Sequence, residues 1–242
     1  KEADFATNLS SGPFREANIA KAFNSANVLE DPNGVAFTDF QYYEPSYGSP
    51  EAFIASPIFD GKKRIGVLIF QLSVEKINAI MTGGGNWQDD GLGLSGETYL
   101  VAPDFHMRSV SRFLTEDPPG YFDALRKLGY QNEKIEDMRN FGTSILLQEV
   151  RTNSSIQALE GITGTDVIED YRGVSVLSSY EPIRFGDHTW ALISEIDTAE
   201  AFAPVVALGW ALGLSSVLIA MVLVAVSAVG AERITAPIKT LA

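Results

Sequence analysis

Cysteine is absent from the 242 residues, which excludes disulfides, thiolate nucleophiles and cysteine metal sites. Histidine is nearly absent: His106 stands beside the Pro103-Asp104 turn and His188 beside Gly186-Asp187. Neither has the companion motif that a general base or nucleophile needs, so no catalytic residue is expected. Gly83-Gly84-Gly85 lacks the Lys and Ser/Thr of a phosphate loop, and Gly91-x-Gly93-x-x-Gly96 precedes a strand instead of opening a helix. Asp89, Asp90 and Glu97 do not have the spacing of a calcium loop and read as solvated carboxylates. No metal and no cofactor is expected. Basic residues are outnumbered 18 to 31, and the formal charge of -13 disfavours nucleic acid or an anionic bilayer surface as a partner.

Charge of either sign is missing from Val205 to Val229. As a helix rising about 1.5 Å per residue, those residues reach roughly 37 Å, enough to cross a hydrocarbon core of about 30 Å with some tilt. Residues 205–229 are therefore expected to be an integral membrane span, with Trp210 as an interfacial anchor. Between Arg184 and Arg233 there is no Lys or Arg. Asp187, Glu195, Asp197 and Glu200 precede the span, and Arg233 and Lys239 follow it. The positive-inside tendency puts residues 1–204 outside the cytoplasm and the C-terminus inside. An extracytoplasmic domain without disulfides fits a bacterial periplasm and inner membrane better than a eukaryotic surface. Lys1 opens the chain with no initiator Met or signal peptide, and the sequence reads as a fragment.

Before the span a pattern recurs. Pro57-Ile58-Phe59-Asp60-Gly61 and Pro182-Ile183-Arg184-Phe185-Gly186 share a Pro-Ile-x-x-Gly spacing. Each leads to an apolar run, Gly66 to Phe70 and Trp190 to Ile193, and then to a helical segment, Val74 to Met81 and Thr198 to Val205. Each copy reads as strand, Gly turn, strand and helix, which points to duplicated modules. The expected organisation is a first module at 1–81, a linker at 82–90 and a second module at 91–204. Helices are expected at Asn18 to Ala26 and Tyr121 to Leu128, with a helical turn at Ile156 to Leu159. Strands are expected at Val35 to Tyr43, Glu51 to Ser56, Glu97 to Ala102, Met107 to Arg112, Gly173 to Tyr180 and Thr189 to Glu195. The fold class is α+β, two five-stranded antiparallel sheets with helices mainly on one face, followed by a transmembrane helix.

Several stretches resemble the double Cache sensor domains of bacterial transmembrane receptors. They are Lys1 to Leu9, Ser95-Gly96-Glu97-Thr98-Tyr99-Leu100-Val101, Met107 to Phe113, Asp170-Tyr171-Arg172-Gly173 with Val176-Leu177-Ser178, and Trp190 to Asp197. After the span, Arg233-Ile234-Thr235-Ala236-Pro237-Ile238 with Leu241 resembles the start of a HAMP relay, at 230–242. The resemblance implies two stacked PAS-like modules, the distal one usually binding ligand. Such receptors feed histidine kinases, chemotaxis signalling domains or nucleotide cyclases, and the wording of Gly96 to Val101 and Arg108 to Phe113 is most similar to cyclase-linked sensors. A homodimer is expected of a receptor of this kind, and no enzymatic activity is expected of the present segment. A periplasmic protein-interaction module without a small ligand is the rival reading.

Two residue sets are candidates for small-molecule binding. In the first module, Phe37, Asp39, Tyr42, Tyr43, Tyr47 and Phe53 gather aromatics and a carboxylate around one loop, the composition of a pocket with few polar anchors, and Gln71 at the end of the last strand of that module is a further candidate. In the second, Arg108, Ser109, Ser111, Arg112, Tyr171 and Arg172 would grip an anion if they converge. Alternatively, Arg108 or Arg112 pairs with Asp170 or Glu97 and ties the sheet edge. Amino-acid-binding members of the resembled family hold the ammonium with an aspartate at the end of the last distal strand, where this chain has Gln71. A neutral amide cannot balance a buried ammonium, and an α-amino acid ligand is therefore not expected.

Overall fold

A computed structural model describes residues 3–87 and 91–239 of the chain. Residues Lys1 to Thr198 form one unit and Ala199 to Ala242 a second. In the first unit the chain runs α1 (Asn18–Asn27), β1 (Ala36–Tyr43), β2 (Ser49–Asp60), β3 (Lys63–Gln71), α2 (Val74–Met81) and β4 (Glu97–Val101). It continues through α3 (Arg112–Glu116), α4 (Pro118–Lys127), α5 (Asn132–Phe141), α6 (Asn153–Leu159), β5 (Gly164–Glu169), β6 (Ser175–Phe185) and β7 (His188–Asp197). The described strands make two antiparallel sheets, ordered β1-β2-β3 and β4-β7-β6-β5. Fold class is thus mixed α and β with antiparallel sheets, as expected, but with three and four strands instead of five each. Met107 to Arg112 is no strand: only an isolated bridge joins Met107 to Val101, and the Ser111 hydroxyl caps the α3 N-terminus by accepting from Phe113 N–H.

The recurring Pro-Ile-x-x-Gly stretches become two hairpins of the same build. Asp60 pairs with Lys63 and Phe185 with His188, leaving Gly61-Lys62 and Gly186-Asp187 as two-residue loops. Gly61 at φ 57° and Gly186 at φ 55° occupy the left-handed region such tight turns demand. On the first sheet, α1 buries Ala22 and Ala26 against Tyr43, Phe53 and Ala55. Small side chains on that helix face let it lie close to the strands, and the Asn18 amide pins it by donating to the Glu51 carbonyl at 2.5 Å. Beneath the second sheet, α4, α5 and α6 cover a core that includes Tyr99, Met107, Tyr121, Leu125, Met138 and Ile193. Thr152 and Ser155 form a reciprocal capping box on α6.

The two sheets share a third core. Phe40 and Ala52 of the first pack with Leu100, Ala102 and Trp190 of the second, and Val74, Ile77 and Met81 of α2 close over them. Full burial of side chains the size of Phe40 and Leu100 contributes about 1.5–3 kcal/mol each, which favours keeping the two sheets together.

The second unit contains α7 (Thr198–Ala201, whose first residue belongs to the first unit) and α8 (Ala203–Lys239). Within α8, Ala203–Ala231 has mean hydropathy 2.5 with none of its most apolar window buried, so it is long and apolar enough to cross a membrane. Two adjacent serines within it are internally satisfied. Ser215 donates to the Ala211 carbonyl at 2.5 Å and Ser216 to the Leu212 carbonyl at 2.7 Å, which spares their hydroxyls a loss of water. The backbone from Arg233 through Lys239 is helical. Leu241, Lys1, Glu2, Asp89 and Asp90, to which expectations were attached, lie outside the described residues.

Candidate functional site

A cavity of about 690 Å³ opens between the two sheets. Its walls come from Leu29 after α1, Val35 to Phe37 of β1, Ile54 of β2, Leu72, Ile77 of α2 and the β6–β7 hairpin with Trp190. Aromatic rings build one side. Phe37 meets Phe185, His188 and Trp190 edge-on at centroid distances of 4.8, 4.9 and 5.7 Å. The Trp190 indole N–H is buried and has no hydrogen-bond partner among the described residues. Ser25, Asp187 and His188 are the polar lining residues, and Asp187, exposed, is the lining carboxylate. Volume and apolar walls match small-molecule sites in general.

Of the first candidate set, Phe37 lines this cavity and the others go elsewhere. Tyr43 and Phe53 are buried core beneath α1, with the Tyr43 hydroxyl donating to Asp4 at 2.5 Å. Tyr47 is 96% exposed and Tyr42 half exposed. Asp39 instead crosses to the second sheet's surroundings, where its two oxygens accept from Arg108 Nε at 2.9 Å and Nη2 at 3.0 Å. Gln71 is exposed at the end of β3.

The second set is likewise committed to internal contacts. Arg108, 3% exposed, also pairs with Asp104 at 2.8 Å and donates to the His106 carbonyl at 3.0 Å. Burial pulls its guanidinium toward neutrality, yet Asp39 and Asp104 outweigh that and hold it more firmly charged than an ordinary arginine. Ser109 Oγ accepts from Leu100 N–H, and Ser111 Oγ meets the Tyr171 hydroxyl at 2.8 Å. Arg112 pairs with Glu116, donates to the Gly93 and Gly96 carbonyls and lies over the Trp87 ring. Arg172 bridges Asp170 at 2.6 Å and Asp197 at 2.8 Å, over the Phe113 ring. The guanidinium groups therefore do not meet at one anion site. Glu97 takes the Arg112 backbone N–H at 2.6 Å and the Tyr171 hydroxyl at 2.6 Å.

No protein-family model matches the chain, and no curated protein matches it. Among solved structures, similar ones are extracellular ligand-binding domains of chemoreceptors and histidine kinases. The ligand-binding domain of the Pseudomonas fluorescens chemoreceptor CtaA with L-alanine is 13% identical at TM-score 0.45, over 84% of this chain and 66% of that one. The Pseudomonas aeruginosa chemoreceptor PctB with L-Arg is 17% identical at TM-score 0.44, over 84% and 71%. The extracellular domain of the putative histidine kinase mmHK1S-Z3 is 18% identical at TM-score 0.41, over 78% and 57%. The chain thus spans just under two thirds of the CtaA domain's length.

The exclusion of an α-amino acid ligand does not stand. CtaA is also solved with L-serine and with L-leucine, and the PctC receptor with GABA. The physical premise fails as well. Gln71 is exposed and lines no part of the inter-sheet cavity, so its amide says nothing about whether a buried ammonium is balanced.

Proposed function

We propose that residues 1–204 are the extracytoplasmic, small-molecule-sensing part of a homodimeric bacterial inner-membrane receptor, whose span at 205–229 passes the signal to a HAMP relay beginning near residue 230. The output would be a nucleotide cyclase, or alternatively a histidine kinase or chemotaxis domain. The observation that carries this reading is an apolar cavity between two sheets, in a chain that also holds an unburied apolar helix of membrane length.

The lining favours one ligand chemistry. Leu29, Val35, Phe37, Ile54 and Phe185 offer an apolar body no hydrogen bond, whereas Asp187 offers a carboxylate to a cationic head group. Organic amines and apolar amino acids both have that form. Because the cavity is walled by both sheets, a ligand that fills it favours one arrangement of the sheets over another, which is how binding shifts a two-state receptor.

A thermal-shift screen of the whole chain in detergent, against amines, amino acids, carboxylates, purines and sugars, tests this. A binder at about 100 times its dissociation constant adds about 2.7 kcal/mol to the folded state. Ser25→Phe, which places a ring at the cavity mouth, should abolish the shift. A shift that survives Ser25→Phe, or none with any class, contradicts the proposal.

A further inference from the structure

Neither the cavity nor the span uses the two carboxyl groups buried in the second sheet. Glu97 on β4 and Glu195 on β7 are direct cross-strand partners, so both side chains leave the same face of the sheet side by side. They are 2% and 4% exposed. Adjacent carboxylates out of water cannot both stay ionised unless cations or donors compensate.

The surroundings supply few. From β4, the Tyr99 hydroxyl donates to Glu195 Oε2 at 2.7 Å; from the loop before β6, Tyr171 donates to Glu97. From α3, Arg112 gives Glu97 its backbone N–H, but its guanidinium is taken by Glu116 and two carbonyls. Arg172 is held between Asp170 and Asp197, and Asp170 adds further negative charge. From α4, Tyr121 faces Glu97 as a neutral phenol. On β6, Ser178 favours an ionised Glu195 somewhat. Glu195 Oε1 has no well-formed hydrogen bond among the described residues. Among the described residues no guanidinium or ammonium pairs directly with either carboxyl; the Ser111 hydroxyl and the more distant Arg172 charge favour an ionised Glu97, which leaves Glu195 as the member to take up a proton.

We infer that Glu97 and Glu195 form a proton-binding site, through which this domain responds to the pH of the compartment it faces. The step is simple to balance: one proton from solvent forms an O–H bond on Glu195, the pair loses one negative charge, and the Tyr99 hydroxyl then donates to a neutral acceptor. Burial, the largest cause, pushes both carboxyls up, Glu195 to about 7, with Asp170 and Glu97 adding to its shift. β7 ends at Asp197, so the titrating residue sits two positions before the strand's end, and α7 follows directly in sequence. The biological reading rests on the extracytoplasmic placement proposed above, whereas the titration itself does not.

Carboxyl NMR of the whole chain in detergent, labelled with ¹³C-glutamate and titrated from about pH 5 to about pH 9, tests the site. One glutamate should titrate with a midpoint near 7 and vanish in Glu195→Gln. Tyr99→Phe, which removes a donor to the ionised form, should raise proton affinity about tenfold, one pH unit. Glu97→Gln, which removes the neighbouring charge, should lower the midpoint, and these two variants keep the test open should Glu195→Gln not fold. If no glutamate has a midpoint above about 6, or if the midpoint ignores both Tyr99→Phe and Glu97→Gln, the inference is wrong. Failure of the ligand screen with this titration intact would sink the sensing cavity alone.

Discussion

Asp39 and Arg108, 69 positions apart, form the ion pair that joins the first sheet to the segment following β4. The partners are unequally buried, with side-chain exposures of 24% for Asp39 and 4% for Arg108. That inequality predicts unequal costs. Asp39→Asn keeps the side-chain size but leaves a buried guanidinium with only half-exposed Asp104 as its counter-charge. Removing one partner of a fully buried pair costs about 3–5 kcal/mol, and the retained Asp104 lowers the expectation to about 3 kcal/mol. Arg108→Met replaces the stem with an apolar chain of similar length and leaves Asp39 able to reach water, for a cost of about 1 kcal/mol. At about 2–4 °C per kcal/mol, the melting temperature should fall by about 6–12 °C in the first variant and about 2–4 °C in the second. Thermal melts of the whole chain in mild detergent, followed by tryptophan fluorescence, measure both. Equal costs, or a larger cost for Arg108→Met, would refute the reasoning that burial of the cation dominates.

Stability should fall as pH rises through neutrality. Glu195 takes up its proton near 7 in the folded chain, against an ordinary value of 4.5, so the folded state binds more protons between those values. The stability present below about pH 4.5 is lost progressively up to and just beyond 7, by about 3 kcal/mol, and Glu195→Gln should flatten that slope in melts across pH. Arg172→Lys cannot bridge Asp170 and Asp197 as a fork over Phe113, and should cost about 1–2 kcal/mol in the same melts. Leu218→Arg puts a charge mid-way along the apolar helix at a cost of about 2.5–3.5 kcal/mol, and should lower the membrane-extracted fraction of the expressed chain. An unchanged fraction would count against the span.

Local rules made much of the fold legible. The glycines of the two hairpin loops and the uncharged run of α8 are local signals, so turn chemistry and the length without charge found them. Alternation alone would leave Phe37 and Tyr43 on one face of β1, and an irregularity in the β1–β2 register between Thr38 and Gln41 separates them, one at the cavity and one beneath α1. Polar residues used over long range were misleading. Arg108, Ser109 and Ser111 looked like a strand reaching for an anion because nothing local reveals that Arg108 belongs to Asp39, or that Ser111 caps a helix. The α5 helix Asn132–Phe141 buries only Ile135 and Met138, too narrow a stripe to stand out from a polar stretch. His188 was a surface turn residue by neighbourhood, yet the ring packs against Phe37 because the hairpin folds back over the first sheet. The Glu97–Glu195 pairing needed the β4–β7 register, which sequence spacing does not carry.

Sidedness of the chain is the most direct test of a sensor joined across a bilayer to the cell interior. The absence of native cysteine makes single introduced thiols unambiguous reporters. Asp60→Cys, on the exposed hairpin end of β2, should react with a membrane-impermeant maleimide in spheroplasts, and Thr240→Cys only after permeabilisation. Labelling of both positions from the same side would contradict the account.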